Sequence, residues 1–159
     1  MIAKNSVVKL IVSIGIPLAV GAISGYFTSS GVGGWYQTLV KPSFNPPNWI
    51  FAPVWTVLYI MMGVALFLIW KKEVSADTKR WAILCFVVQL ALNFLWTFVF
   101  FYLQQPGWAL VEILVLWVMI LATILAFKKL STPAALLLVP YLLWVSFATL
   151  LTYSIWQLN

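Results

Sequence analysis

Four long stretches of the chain carry no charge: Leu10–Val40, Pro42–Trp70, Trp81–Val111 and Leu130–Asn159. Glu112 is the only charge between the third stretch and Phe127. A transmembrane helix needs about 20 mostly apolar residues, so each stretch is long enough to span a bilayer. Trp81–Phe127 as one helix would extend roughly 70 Å, about twice the hydrocarbon core, and must turn. Gln104-Gln105-Pro106-Gly107 places that turn, because Pro-Gly breaks helices and the glutamines prefer water. Gly31-Val32-Gly33-Gly34 breaks the first stretch in the same way. The pattern predicts helices near 6–27, 47–70, 79–103, 107–128 and 132–156. The fold class is an all-α integral membrane protein, a five-transmembrane-helix bundle forming one domain over residues 1–159. Thr132 reads as the N-cap of the last helix and Pro133 as its first position.

The charges test this count. Five spans put the N-terminus and the second and fourth loops on one side, with Lys4, Lys9, Lys71, Lys72, Lys79, Arg80, Lys128 and Lys129. The other side holds Lys41 alone. That asymmetry is expected if the first side is cytoplasmic, with the N-terminus inside and the C-terminus outside, most simply in a bacterial inner membrane. A cleaved signal peptide is the competing reading of the first span. Its apolar stretch is too long for an ordinary signal core, and it carries Pro17 and the small-residue run Gly21-Ala-Ile-Ser-Gly25.

Composition narrows the chemistry. Apolar residues are 64% and charged residues 8%, against globular averages of about 45–50% and about 25%. Histidine is absent and Cys85 is the only cysteine, so an intramolecular disulfide and a Cys/His metal cluster are both excluded. The sequence offers no conventional acid–base or nucleophilic constellation. Its cations read as topology determinants and lipid-headgroup contacts, and no nucleic-acid partner is expected.

Polar and aromatic residues inside the spans carry the remaining information. Gln89, Asn93, Trp96 and Phe100 recur at intervals of 4, 3 and 4 and share one helix face. They serve either interhelical hydrogen bonding or ligand contact. Glu112 is the only acid within a span, a functional candidate by default, although it sits only about one turn past Gly107. Trp70, Trp81 and Trp156 suit an interfacial belt, and Trp35, Trp49 and Trp108 lie near the same boundaries. Trp55, Trp96, Trp117 and Trp144 lie too deep for a belt. Their indole N–H groups need partners that lipid does not supply, so they should face inward. On the fifth helix Trp144 shares a face with Phe147 or Ala148 and with Leu151, a mixture of large and small side chains that leaves room for a flat guest. Pro46 and Pro47 cost nothing at a helix start. Pro53, expected two turns in, should bend the second helix, and Pro17 and Pro140 should do likewise in the first and fifth.

The segments WYQTLVKPSFNPPNWIFAPVWTVLY (35–59), QLALNFLW (89–96), GWALVEILV (107–115) and PYLLWVSFATLLTYSIWQLN (140–159) resemble the translocator protein / tryptophan-rich sensory protein family, TspO. The similarity covers nearly the whole chain in the same order. It implies a five-helix membrane protein, usually a homodimer, with an internal pocket for porphyrins such as protoporphyrin and for drug-like planar ligands. It links bacterial members to tetrapyrrole regulation and stress responses. Matched motif by motif, the pocket would be lidded by Tyr36, Pro46 and Trp49. The second helix would supply Phe51, Trp55 and Tyr59, and the third Asn93, Trp96 and Phe100. The fourth would supply Trp108 and Glu112, and the fifth Trp144, Ala148 and Leu151. Trp55 and Trp144 would be the pair tied to porphyrin chemistry. Two departures stand out. Gln157 occupies the basic position of the animal cholesterol motif, which argues against sterol recognition through it. Leu84 and Val88 replace the glycine pair of the third helix, which argues against a close glycine-mediated dimer contact there.

The expected function is a membrane receptor or sensor for porphyrin, protoporphyrin or haem, with membrane lipid around it and no obligatory cofactor. Without histidine, a macrocycle would be held by stacking and edge contacts rather than by axial iron ligation. Lys41 should attract its carboxylates. The alternatives are light- and oxygen-dependent porphyrin degradation, in which the chemistry belongs largely to the ligand, and porphyrin or lipid transport. Five spans do not divide into the equal repeats common in secondary transporters.

Overall fold

The computed structural model describes the backbone of residues 2–159 and the side chains of residues 6–159. Lys4 therefore lies outside the described side chains. The helices are α1 (Ile2–Val32), α2 (Trp35–Thr38), α3 (Phe51–Trp70), α4 (Ala76–Thr97), α5 (Pro106–Lys128), α6 (Thr132–Leu137) and α7 (Val139–Leu158). A 3-10 turn, Asn48–Ile50, leads into α3, and a π-helical turn, Phe98–Tyr102, ends α4. No strand occurs among the described residues. Five segments are long and apolar enough to cross a membrane: Ser6–Val32, Asn48–Trp70, Ala76–Tyr102, Pro106–Lys128 and Thr132–Leu158.

Several boundaries differ from the sequence reading, each for a local reason. α1 runs through Gly31 to Val32, one turn beyond the expected end, because a glycine weakens a helix without terminating it. Pro53 falls in the first turn of α3 rather than two turns in. Its missing N–H would have had no partner there, so it starts the helix instead of bending it. Ser131, not Thr132, caps the fifth span: its hydroxyl accepts from the Ala134 N–H at 3.4 Å. Pro140 does interrupt that span, dividing it at Leu138 into α6 and α7. Pro17 stands inside a continuous α1.

Adjacent spans run antiparallel. Near the basic ends, Lys9 lies 6.0 Å from the centre of the Trp70 ring. The Lys79 ammonium donates to the Trp70 carbonyl at 3.4 Å. The core is filled by Met62 and Ile69 of α3, Phe86 of α4, Ile120 and Phe127 of α5 and Val145 of α7. Phe86 and Phe127 stack with centroids 5.9 Å apart. Helices 1 and 3 touch backbone to backbone at one point: a Cβ added to Gly63 would come within 2.5 Å of the Ile14 Cα. Pro17 removes the N–H that would otherwise pair with the Ser13 carbonyl, and that carbonyl also lies against Gly63.

The spans are tied together by polar side chains as well as by packing. Asn93, 1% exposed, accepts from the Tyr59 hydroxyl and donates to the Tyr141 hydroxyl at 3.0 Å. One amide thus joins α3, α4 and α7. The Trp117 indole N–H donates to the Ser146 hydroxyl at 2.8 Å, joining α5 to α7. Of the four deep indoles, Trp117 thus meets the expectation of an internal partner, whereas the Trp96 N–H is buried without one. Asn93→Leu should leave both phenols unpaired and destabilise the protein by about 1–3 kcal/mol. The check is thermal unfolding in detergent, where Asn93→Leu should melt well below wild type and Gln104→Leu, at a water-facing turn, should not.

Candidate functional site

Above the Tyr59–Asn93–Tyr141 chain the spans do not close. A cavity of about 570 Å³ lies between α1, α3, the end of α4 and α7. It falls within the range of small-molecule sites, about 300–1,000 Å³. No lining residue carries a formal charge.

Aromatic rings form most of its wall. From α3, Phe51, Trp55 and Tyr59 follow one another at intervals of four along one face. Trp55 stacks on Tyr59 with centroids 5.6 Å apart. From α7, Trp144 meets Phe51 edge-on at 6.1 Å, and Ala148 and Leu151 continue the same face. From α4, Trp96 stacks on Phe100 at 5.5 Å. The π-helical turn then brings Phe101, the next residue, to the wall as well. In a regular α-helix, neighbouring side chains diverge by about 100°. The wider turn lets both face the cavity.

The end that carries loop 1 (residues 33–47) is capped. Tyr36 of α2 is 2% exposed, and its hydroxyl donates to Asn45 at 2.7 Å. The Lys41 ammonium rests 4.9 Å from the centre of the Tyr36 ring. Burial pushes the Tyr36 hydroxyl up to about 12. The side chain of Asn159, immediately after the end of α7, accepts from the Val40 N–H and donates to the Val40 carbonyl, both at 3.0 Å. It pairs with the loop as a neighbouring strand would.

Of the residues expected at the site, Tyr36, Phe51, Trp55, Tyr59, Trp96, Phe100, Trp144, Ala148 and Leu151 all reach the cavity wall. The others do not. Asn93 stands behind Tyr59 and holds it. Pro46 lies in the loop, where its carbonyl accepts from Asn45. Trp49 is 73% exposed on the 3-10 turn. Trp108 is 70% exposed and lines a separate shallow depression with Trp35 and Trp156 at the start of α5. The Glu112 carboxylate oxygens are buried without a hydrogen-bond partner and lie off the cavity wall.

Sequence reasoning missed one wall altogether. Leu18, Gly21, Gly25, Thr28 and Val32 of α1 line the cavity. Their intervals of 3, 4, 3 and 4 mark one helix face. The signal was present but muted, because glycine and alanine give such a stripe little hydrophobic contrast. Ser24 of α1 also lines the wall, and its hydroxyl is buried without a partner. The Trp96 indole N–H is in the same state. Neither polar atom is presented to the open surface of the chamber.

The fold and the cavity together define a class: a five-span helical membrane protein with a capped, uncharged aromatic chamber in one half of the bundle. Residues 13–157 match the model of the TspO/MBR family, and the chain belongs to that family. It is 49% identical to the tryptophan-rich protein TspO of Chlorobaculum tepidum, over 98% of this chain and 99% of that protein. It is 41% identical to the translocator protein of Bos taurus, over 91% of this chain and 86% of that one. Against the tryptophan-rich sensory protein of Cereibacter sphaeroides it is 41% identical over 79% and 77%.

The cap generates a prediction. The Tyr36 bond requires a protonated phenol. Its hydroxyl titrates near 12 when folded and about 10 when unfolded. The bond's contribution is therefore complete below about 10 and is lost as pH rises through about 12. Protease protection of residues 39–47 should be flat from about pH 6 to about pH 10. Tyr36→Phe should weaken that protection at every pH in this range, by roughly 1 kcal/mol of local opening.

Proposed function

We propose that this protein is a receptor that binds porphyrins of the protoporphyrin type, and other planar hydrophobic molecules, in its intramembrane aromatic chamber. The observation that carries this reading is the chamber itself. It is large enough for a small-molecule ligand, uncharged, and walled by Trp55, Trp96 and Trp144 from three separate spans. Aromatic pairs contribute about 0.5–1.5 kcal/mol beyond area burial, so several rings around one macrocycle give useful affinity without a metal ligand. Binding would report tetrapyrrole level and so regulate tetrapyrrole metabolism and the stress response. The charge asymmetry supports a cell-membrane protein with its N-terminus in the cytoplasm, and a homodimer is the assembly the family resemblance favours.

Protoporphyrin should quench tryptophan fluorescence saturably. Trp144→Ala should weaken binding about tenfold, equivalent to about 1.4 kcal/mol. Trp108→Ala, away from the chamber, should leave it unchanged. Equal affinity for all three proteins would refute the site.

Lys41 is the only cation near the cap in the sequence between Lys9 and Lys71. Lys41→Ala should weaken porphyrin binding a few-fold at low ionic strength and little at about 1 M salt, where the Debye length is about 3 Å. Unchanged affinity at low salt would remove Lys41 from the account.

A second reading, light-dependent porphyrin degradation, draws on the placement of Trp55 and Trp144 together on the chamber wall. Trp55→Phe combined with Trp144→Phe should then retain binding but form no product under illumination. Absence of any product from the unaltered protein would discard this reading.

A further inference from the structure

The chamber is capped at its loop-1 end, where the exposed Asn48 borders it, and its flank between α1 and α3 opens within the segments read as membrane-spanning. Four glycines record how α1 moves away from α3. At Gly63 the two backbones touch, with Ile14 Cα within 2.5 Å of an added Cβ. One step nearer loop 1, at Gly21, the space beside α1 is occupied by the Tyr59 ring, also within 2.5 Å. At Gly25 nothing lies within 4 Å. Further on, α1 has crossed to the other neighbour: a Cβ at Gly31 would stand 2.9 Å from the Phe101 carbonyl oxygen, on the π-helical turn of α4. The two helices therefore splay into a wedge toward the loop-1 end. Its edges are small residues that both line the chamber and are exposed on the outside of the bundle: Ala22, Gly25 and Ser29 on α1, Ala52 and Thr56 on α3. All lie within segments read as membrane-spanning. Ala52 and Thr56 are roughly 6 and 12 Å from the start of their span. α1 is also the least enclosed span, 11% buried against 33–44% for the others.

The opposite holds at the loop-1 end. Tyr36, its bond to Asn45 and the two-point clasp of Asn159 on Val40 close the cap without leaving Tyr36 accessible. We infer that ligand exchanges laterally with the bilayer, through the small-residue gap between α1 and α3, while the loop-1 cap stays clasped. The ligand is thus a membrane-dissolved amphiphile when it meets the protein, and Gly25 and Ala52 determine how large a molecule passes. This inference rests on the receptor reading above.

The test uses the full chain in lipid nanodiscs with protoporphyrin as probe. Val40→Cys with Asn159→Cys, bridged by oxidation or a short bis-maleimide, locks the cap. Gly25→Phe with Ala52→Phe plugs the gap, and Gly25 has free space for a side chain. The locked cap should leave association and dissociation rates within about threefold of wild type. The plugged gap should slow association about tenfold without speeding dissociation, the signature of a gate, whereas a lost wall contact would speed dissociation and leave association unchanged. Exchange that stops when the cap is locked, or a plugged gap that lowers affinity without slowing association, overturns the route. If the unaltered protein takes up no protoporphyrin, it is the receptor reading that fails, and the two outcomes are distinct.

Discussion

Lipid cannot hydrogen-bond, and this constraint organises the molecule. Every deep phenol, amide and indole must find a partner inside the bundle or stay unpaired at a cost. The side chain of Asn93 answers it for three spans at once, accepting from Tyr59 and donating to Tyr141. This chain sits where the bundle changes character. On the basic side of it the interior is filled by aliphatic side chains and the Phe86–Phe127 stack. On the loop-1 side the same helices hold open a chamber lined by rings. Tyr59 belongs to both, as a member of the polar chain and as part of the chamber wall.

A chamber inside a small bundle needs walls that hold their shape without close packing across the middle. Aromatic side chains suit this, because each is rigid and braces its neighbour. Trp55 rests on Tyr59, Trp96 on Phe100, and Trp144 on Phe51 and Phe147. The indoles are thus held by the wall itself before any ligand arrives, which limits the ordering cost of binding. On the α1 side the wall uses residues with almost no side chain, and those same positions leave the flank thin.

Much of this was legible in the sequence. Uncharged runs and loop charges gave five spans, and depth within a span marked Trp55, Trp96, Trp117 and Trp144 as inward-facing. The misses have physical causes. Gly31 reads as a breaker, yet α1 continues through it because tertiary packing against Phe101 outweighs propensity. Pro53 reads as a kink only if the helix starts at Pro47, and the 3-10 turn moved that start. Phe101 is invisible to α-periodicity because it depends on a π-helical turn. Trp49, Trp108 and Glu112 carry the family motif but not the chamber wall, since proximity in sequence to pocket residues does not set which way a side chain faces. The clasp between Asn159 and Val40 joins distant residues and leaves no local pattern at all.

The most direct test of the central claim is a structure of the protein at saturating protoporphyrin in a lipid environment. The account predicts the macrocycle inside the bundle, in contact with Trp55, Trp96 and Trp144, with Asn93 still bridging the two phenols. A macrocycle bound only on the lipid-facing surface, with those three indoles untouched, would contradict it.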